Sequence, residues 1–408
     1  MNKDSFINLT NKKIYILNES ENAMHILPKH RLPLKGMSYL SLIVLMNTIS
    51  LTLIIPIIPI YIKNFVSSNA VTGYVSALLS LLAVLYIFLM IKLLKKIKKS
   101  SLLKIGLLGS SVTAVLLAFM TNIQQFIALE IFRIFLLTAS SITIGLFVRE
   151  FASRKTIGES EGVYFATYNF GWVLGPLLGG LLASAYSFNT VFIISAIPQF
   201  LIGSLLLFVP LKEKIVIPKH EFKFLDYFKS KQLSLLYIVS MGLTFWWTSF
   251  YIFMPLFANT NGFSAKAIGI IMFLAVIPLT LLEYPIGKLA DKNGFRKYIA
   301  LGFFILAFLM LFTYLTNPFY TLVLIVLASG LGAGFIEPLT EAYFFKEVKA
   351  KEKEQGLYPV YKTSVRMGDL VAPLLFSTIL VYFNFKILFV VVGLSMLFFS
   401  LIALKLKK

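Results

Sequence analysis

"GWVLGPLLGG", Gly171 to Gly180, lies inside a long apolar run. In a water-exposed helix each interior glycine costs about 1 kcal/mol against alanine, and a proline about 3. Lipid changes that account. A backbone that cannot trade its hydrogen bonds for water stays helical, and small residues let a second helix come close. Gly171, Gly175 and Gly179 recur every four residues and share one helix face. Pro176 has no N–H for the carbonyl of Trp172, which predicts a bend at that point. The stretch reads as a tight helix–helix contact inside a membrane.

The whole chain agrees. Its 408 residues are 58% hydrophobic, 15% aromatic and 14% charged, whereas a soluble domain is about one quarter charged. The net charge of +20 sits mostly between apolar runs, so it reads as membrane topology and not as a nucleic-acid surface. The chain has no cysteine, which excludes disulfides and thiolate metal sites. The polar, mixed-charge first 35 residues are not a cleaved signal.

Runs of about 20 apolar residues, the length that crosses a bilayer core, predict twelve helices. They fall near 37–61, 70–92, 101–120, 123–148, 160–184, 188–210, 233–258, 265–287, 297–316, 319–344, 357–381 and 385–405. The division that follows is a tail over 1–35, a six-helix bundle over 36–210, a polar linker over 211–232 and a second bundle over 233–408. The loops after even-numbered spans, with both tails, carry nearly every Lys and Arg outside the spans. The opposite side keeps Lys63, Lys266 and Lys386. That asymmetry predicts a multi-pass protein of the cytoplasmic membrane with both termini inside. An offset of 196 residues matches Pro59 to Pro255, Gly73 to Gly269, Lys92 to Lys288 and Gly106 to Gly302; an offset of 195 matches Phe188-Asn189 to Phe383-Asn384. The expected fold is all-α, with twelve transmembrane helices in two pseudo-symmetric six-helix bundles and a path between them.

Between spans 8 and 9, "GKLADKNGFRK" carries Gly287, Leu289, Asp291, Gly294, Arg296 and Lys297. With twelve spans in related halves, it resembles the loop motif of the major facilitator superfamily. Phe295 is one residue more than that motif has. Its glycines suit a tight turn, and Asp291 is expected to cap a helix start or pair with a base. The first-half counterpart, "IKLLKKIKKS", puts Lys95 where the carboxylate belongs. It reads as a solvated anchor or a contact for anionic lipid head groups. "GWVLGPLLGG" resembles the span-5 signature of the family's drug:proton antiporters, and close helix packing alone also accounts for it. Span 4 departs from that branch, with Leu136 and Leu137 in "RIFLL" where its Gln and Gly are expected. The resemblance implies that Gly171, Gly175, Pro176, Gly179, Gly180, Gly287, Asp291, Gly294 and Arg296 serve the conformational switch.

Charges inside a bilayer are expensive and point to function by default. Glu130 and Arg133 fall in span 4, Glu283 in span 8, Glu337 and Glu341 in span 10, and Lys362, Arg366 and Asp369 in span 11. Glu130–Arg133 and Arg366–Asp369 have i,i+3 spacing, which suits either a structural ion pair or a proton relay. The expected proton carriers are Asp369, then Glu130 and Glu337, with Arg133 and Arg366 sensing the change. Asn47, Tyr168, Asn169, Trp246 and Trp247 are candidates for the cavity wall, the tryptophans suiting an apolar or cationic ligand.

No phosphate loop, metal motif or hydrolase set is present in the sequence. The reading is therefore not an enzyme and needs no cofactor or metal. It is a monomeric secondary transporter that exports hydrophobic or cationic small molecules in exchange for protons, or sodium. The alternatives are a symporter importing an anionic or polar nutrient, with Arg133 and Arg366 as its grip, and a membrane sensor or assembly factor that does not transport.

Overall fold

The structure is a computed structural model that describes residues 31–94, 96–151, 157–211, 224–348 and 351–407. The tail to residue 30, most of the linker, Lys95, and His25, His30 and His220 lie outside the described residues. The described residues are helical throughout, with no strand among them. The chain runs through α1 (Arg31–Leu53), α2 (Ile58–Val66), α3 (Asn69–Leu93), α4 (Lys99–Leu117), α5 (Ile123–Phe151), α6 (Ile157–Ala185) and α7 (Phe188–Phe208). It continues through α8 (Lys231–Thr248), α9 (Met254–Thr260), α10 (Ala265–Asn293), α11 (Phe295–Phe312), α12 (Pro318–Leu327), α13 (Gly334–Glu347), α14 (Lys351–Tyr382) and α15 (Phe385–Ala403).

Among the described residues, eleven helical runs are long and apolar enough to cross a membrane. The predicted fifth span, α6, is not among them although it is a continuous 29-residue helix. Its glycines, together with Thr167, Tyr168, Asn169 and Trp172, dilute its hydropathy. The helix that carries the stretch quoted first thus spends apolar residues on packing: its glycines lie against α1 and α10.

Successive runs alternate in direction through short connections at 67–68, 118–122, 186–187, 261–264, 316–317 and 383–384. These gather at one end of the molecule, the far end, while the first and last described residues lie at the other, the terminal end. Side-chain caps start the helices there: Ser68 caps α3, Ser187 α7, Ser264 α10 and Asn384 α15.

The repeat is visible in the packing. A Cβ at Gly106 would meet the Leu136 carbonyl and Ser140 N, each at 2.8 Å; one at Gly302 would meet the Gly332 carbonyl at 2.7 Å and Ile336 Cγ1 at 2.6 Å. Every one of those residues is related to its counterpart by 196. Likewise Gly171 faces Thr48 as Gly368 faces Thr244. The offset of 195 near the chain end is corrected. Ser187 and Asn384 hold the same capping position, so the offset there is 197, and Asn189 lies inside α7. The same 197 relates Gly171 to Gly368 and Pro176 to Pro373.

The motif between α10 and α11 also differs from expectation. α10 continues through Gly287 and Asp291 to Asn293, and the turn is Gly294 alone, at φ 92°, a value that favours glycine. Asp291 is exposed in the last turn of α10. It does not cap α11, whose N-cap is Gly294 without a side-chain bond, and it has no ion-pair partner among the described residues. A Cβ at Gly287 would meet open space. Arg296 has a buried Nε without a hydrogen-bond partner.

Candidate functional site

The "GWVLGPLLGG" helix has two working faces. Its stripe packs on α1: a Cβ at Gly171 would stand 2.7 Å from Thr48 Cγ2, one at Gly175 1.8 Å from Thr52 Oγ1, and one at Gly179 1.8 Å from the Leu53 carbonyl oxygen. The bare backbone lets Thr52 Oγ1 reach the Gly171 carbonyl at 2.9 Å. Gly180 faces elsewhere, onto the second half of the chain. A Cβ there would stand 2.5 Å from the Ala265 carbonyl and 2.8 Å from Gly269 Cα.

Proline shapes the wall opposite. Pro255 offers no N–H to the Tyr251 carbonyl, and the helix widens into a π-segment over Ser249–Phe253, with Met254 N–H donating to the Ser249 carbonyl five residues back. At the matching place in the first half, Pro56 joins Pro59 and the helix breaks outright between Leu53 and Ile58. The π-segment sets Trp247 and Tyr251 side by side, with ring centroids 5.5 Å apart and planes at 19°.

Trp172 then reaches across from α6 to Tyr251, at 5.0 Å and 48°. Behind it Tyr168 lies 6.0 Å from Trp172, and Tyr164 stacks on Tyr168 at 6.0 Å. The result is a continuous aromatic ladder from the first half of the chain into the second.

Glu337 closes this ladder on the second-half side. It follows a second π-segment, Ala328–Ala333, where Gly330 and Gly332 bring the helix against Pro278 and Leu306. Trp247, Tyr251, Glu283, Glu341 and Lys362 are its electrostatic neighbours, and Oε2 is buried with no hydrogen-bond partner among the described residues. A buried carboxylate near indole and phenol rings suits a proton or an organic cation. On α14, Arg366 Nη1 donates to Asp369 Oδ2 at 3.3 Å, with side chains 46% and 30% exposed. This pair and Glu337 act on Tyr168 from the second half.

The remaining candidates separate from the ladder. Arg133 Nε donates to Glu130 Oε1 at 2.7 Å, and both residues are buried, so this pair is satisfied within α5. Asn47 Oδ1 accepts from Gln199 Nε2 at 3.0 Å, and Gln199 Oε1 accepts from Ser110 Oγ at 3.0 Å, which ties α1, α7 and α4 together inside the first half. Trp246 is 1% exposed and belongs to the second-half core. Asn169 is half-buried beside Tyr168. Glu341 accepts from Tyr358 Oη and, at 2.8 Å, from Lys362 Nζ, joining α13 to α14. Trp172 and Tyr251 are absent from the sequence-derived set. Each stands one helical turn from a member of it, Tyr168 and Trp247, and that i,i+4 spacing is the signal that marks them.

A sequence model of the Major Facilitator Superfamily matches residues 40–277 and 233–408. The tetracycline resistance protein, class H, of Pasteurella multocida is 26% identical, over 85% of this chain and 90% of its own. The multidrug resistance protein MdtG of Rahnella sp. is 23% identical, over 85% and 87%. An uncharacterized MFS-type transporter of Methanocaldococcus jannaschii is 22% identical, over 79% and 86%. Among solved structures, a mutant of the nucleoside transporter NupG superposes with a TM-score of 0.72 at 16% identity, covering 91% of this chain and 100% of that one. A bacterial homologue of the lysosomal transporter Spinster, inward-facing and occupied, gives 0.67 at 13% identity, covering 90% and 93%. With matches that span nearly all of the described helices, the chain belongs to the major facilitator superfamily and is a multi-pass membrane transporter, not an enzyme.

Proposed function

We propose that the chain is a twelve-span, two-bundle secondary transporter that exports hydrophobic or cationic small molecules in exchange for protons. The observation that carries this reading is the Glu337 carboxylate, with its buried Oε2 unpartnered, at the end of the aromatic ladder that joins the two halves. An organic cation and a proton compete for such a group, and that competition is the exchange. Relatives named for multidrug and tetracycline resistance support the direction of transport.

On this reading the order of the proton carriers changes from the one expected of the sequence. Glu337 comes first and Asp369 second, since its pair with Arg366 is partly exposed beside Tyr168. Glu130 drops out because Arg133 already neutralises it in a buried pair. The charge pattern of the loops supports cytoplasmic termini, and the far-end contacts between the halves then lie on the outer side of the membrane.

The test is dye or tetracycline accumulation in everted vesicles, with and without a pH gradient. Glu337→Gln is expected to abolish gradient-driven accumulation, at least 50-fold, while Glu130→Gln with Arg133→Gln retains gradient dependence. Gradient-driven transport that persists in Glu337→Gln would overturn the assignment. The importer reading rests on Arg366 alone once Arg133 is paired, and uptake of a labelled anion that needs Arg366 would favour it.

A further inference from the structure

A cavity of about 430 Å³ opens on the outer surface between α4 and α7, toward the terminal end. It is lined by Ser101, Lys104, Ile105, Leu108, Gly109 and Leu207. Gly203 sets its depth: a Cβ there would fall 2.8 Å from Leu108 Cδ2, so α7 seats close on α4. Ser101, Lys104, Ile105 and Leu108 follow i, i+3, i+4, i+7 spacing and form one stripe of α4. The groove extends roughly 12 Å along that helix.

We infer that this groove binds one anionic glycerophospholipid, an acyl chain against Ile105, Leu108 and Leu207 and the phosphate on Lys104 and Ser101. Ile105 and Leu207 are 51% and 55% exposed, which in a bilayer means lipid contact. Lys104 is half-buried, about 8 Å beyond the start of α4. A lysine at that depth can lay its stem along the apolar wall and extend its ammonium to the interface.

Charge complementarity decides the head group. Lys96 and Lys98, five and three residues before Ser101, are exposed just ahead of the groove in the chain. The nearby carboxylate, Glu150, is held by Lys99, and Lys104 has no ion-pair partner among the described residues. A zwitterionic head group would bring an ammonium into this cluster, whereas an anionic one meets only lysines.

The full chain, purified in detergent, is offered phosphatidylglycerol or phosphatidylcholine of equal acyl length, and retained lipid is read by native mass spectrometry. One phosphatidylglycerol per chain is expected to persist, at least tenfold above phosphatidylcholine. Lys104→Gln is expected to lower its retention to the phosphatidylcholine level. Leu207→Trp, which fills the groove and keeps every charge, is expected to lower retention of both lipids, and Lys386→Gln at the far end to change neither. Equal retention of the two lipids by the unaltered chain overturns the site. So does phosphatidylglycerol retention undiminished in either Lys104→Gln or Leu207→Trp.

Discussion

At the far end the repeat relates two of the contacts between the halves, and their chemistry differs. Gly180 of α6 lies on Gly269 of α10, and Gly73 of α3 lies on Ser377 of α14. Gly73 and Gly269 match at an offset of 196, Gly180 and Ser377 at 197. On α6·α10 the approach is backbone to backbone, with the Pro176 carbonyl 2.5 Å from where a Gly269 Cβ would stand. On α3·α14 a hydroxyl fills the gap, and beside it Tyr74 Oη and Thr378 Oγ1 hydrogen-bond at 2.9 Å. The residues equivalent to that bonded pair on the other side are Ile270 and Leu181. One contact is thus bare and apolar and the other is polar. Two seams that must part together in alternating access resist parting for different reasons: fit in one, hydrogen bonding in the other.

Breaking the bare seam is expected to have the largest effect. A side chain at Gly180 meets backbone atoms at 2.5 and 2.8 Å, and backbone cannot swing aside as a side-chain tip can. Gly180→Leu is expected to hold the far end apart and reduce transport to background, about 100-fold. Because the chain has no cysteine, a single pair of introduced cysteines near positions 184 and 266 can carry spin labels. Their distance distribution should shift to longer separations in Gly180→Leu. An unchanged distribution with full transport would show that the seam is not a moving contact.

The sequence reading went far within each half and stopped between them. Apolar runs and glycine spacing are local, so the helices and the α6 stripe could be read from residues a few turns apart, and the repeat from such local patterns recurring at one offset. Trp172 with Tyr251, and Gly180 with Gly269, join residues 79 and 89 positions apart, and nothing in either segment names the other. The π-segments were hidden as well. Pro255 signals a distortion, but the difference between a break, as after Leu53, and a widened turn, as over Ser249–Phe253, depends on Pro56 and on the packing around it. Asp291 shows the opposite error, a motif residue given a loop role while α10 kept it helical.

The polar seam should tolerate what the bare one does not. A Cβ at Gly73 would meet Ser377 Oγ at 1.9 Å, with the tip of Phe253 next at 3.0 Å. Gly73→Ala is expected to cost transport about tenfold, and adding Ser377→Ala should restore most of it because the clashing atom is gone. Ser377→Ala alone removes a buried hydroxyl oxygen that has no hydrogen-bond partner, so it is expected to raise thermal stability by about 1 kcal/mol. Unfolding of the purified chain in detergent measures that term. A double variant no better than Gly73→Ala would place the strain on Phe253 instead.

The smallest expected effect belongs to the hydrogen bond itself. Tyr74→Phe keeps the ring and removes the hydroxyl that meets Thr378. A hydrogen bond between neutral groups contributes about 1 kcal/mol net, which corresponds to roughly a fivefold shift between states closed and open at the far end. Spin labels on α3 and α14 should therefore show the open population rising by that factor, with substrate affinity at the aromatic ladder unchanged. Thr378→Val should give the same shift, and combining it with Tyr74→Phe should add nothing, because either change removes the whole interaction. Additive shifts would mean that the two hydroxyls serve different partners, and the polar seam would then rest on packing as the bare one does.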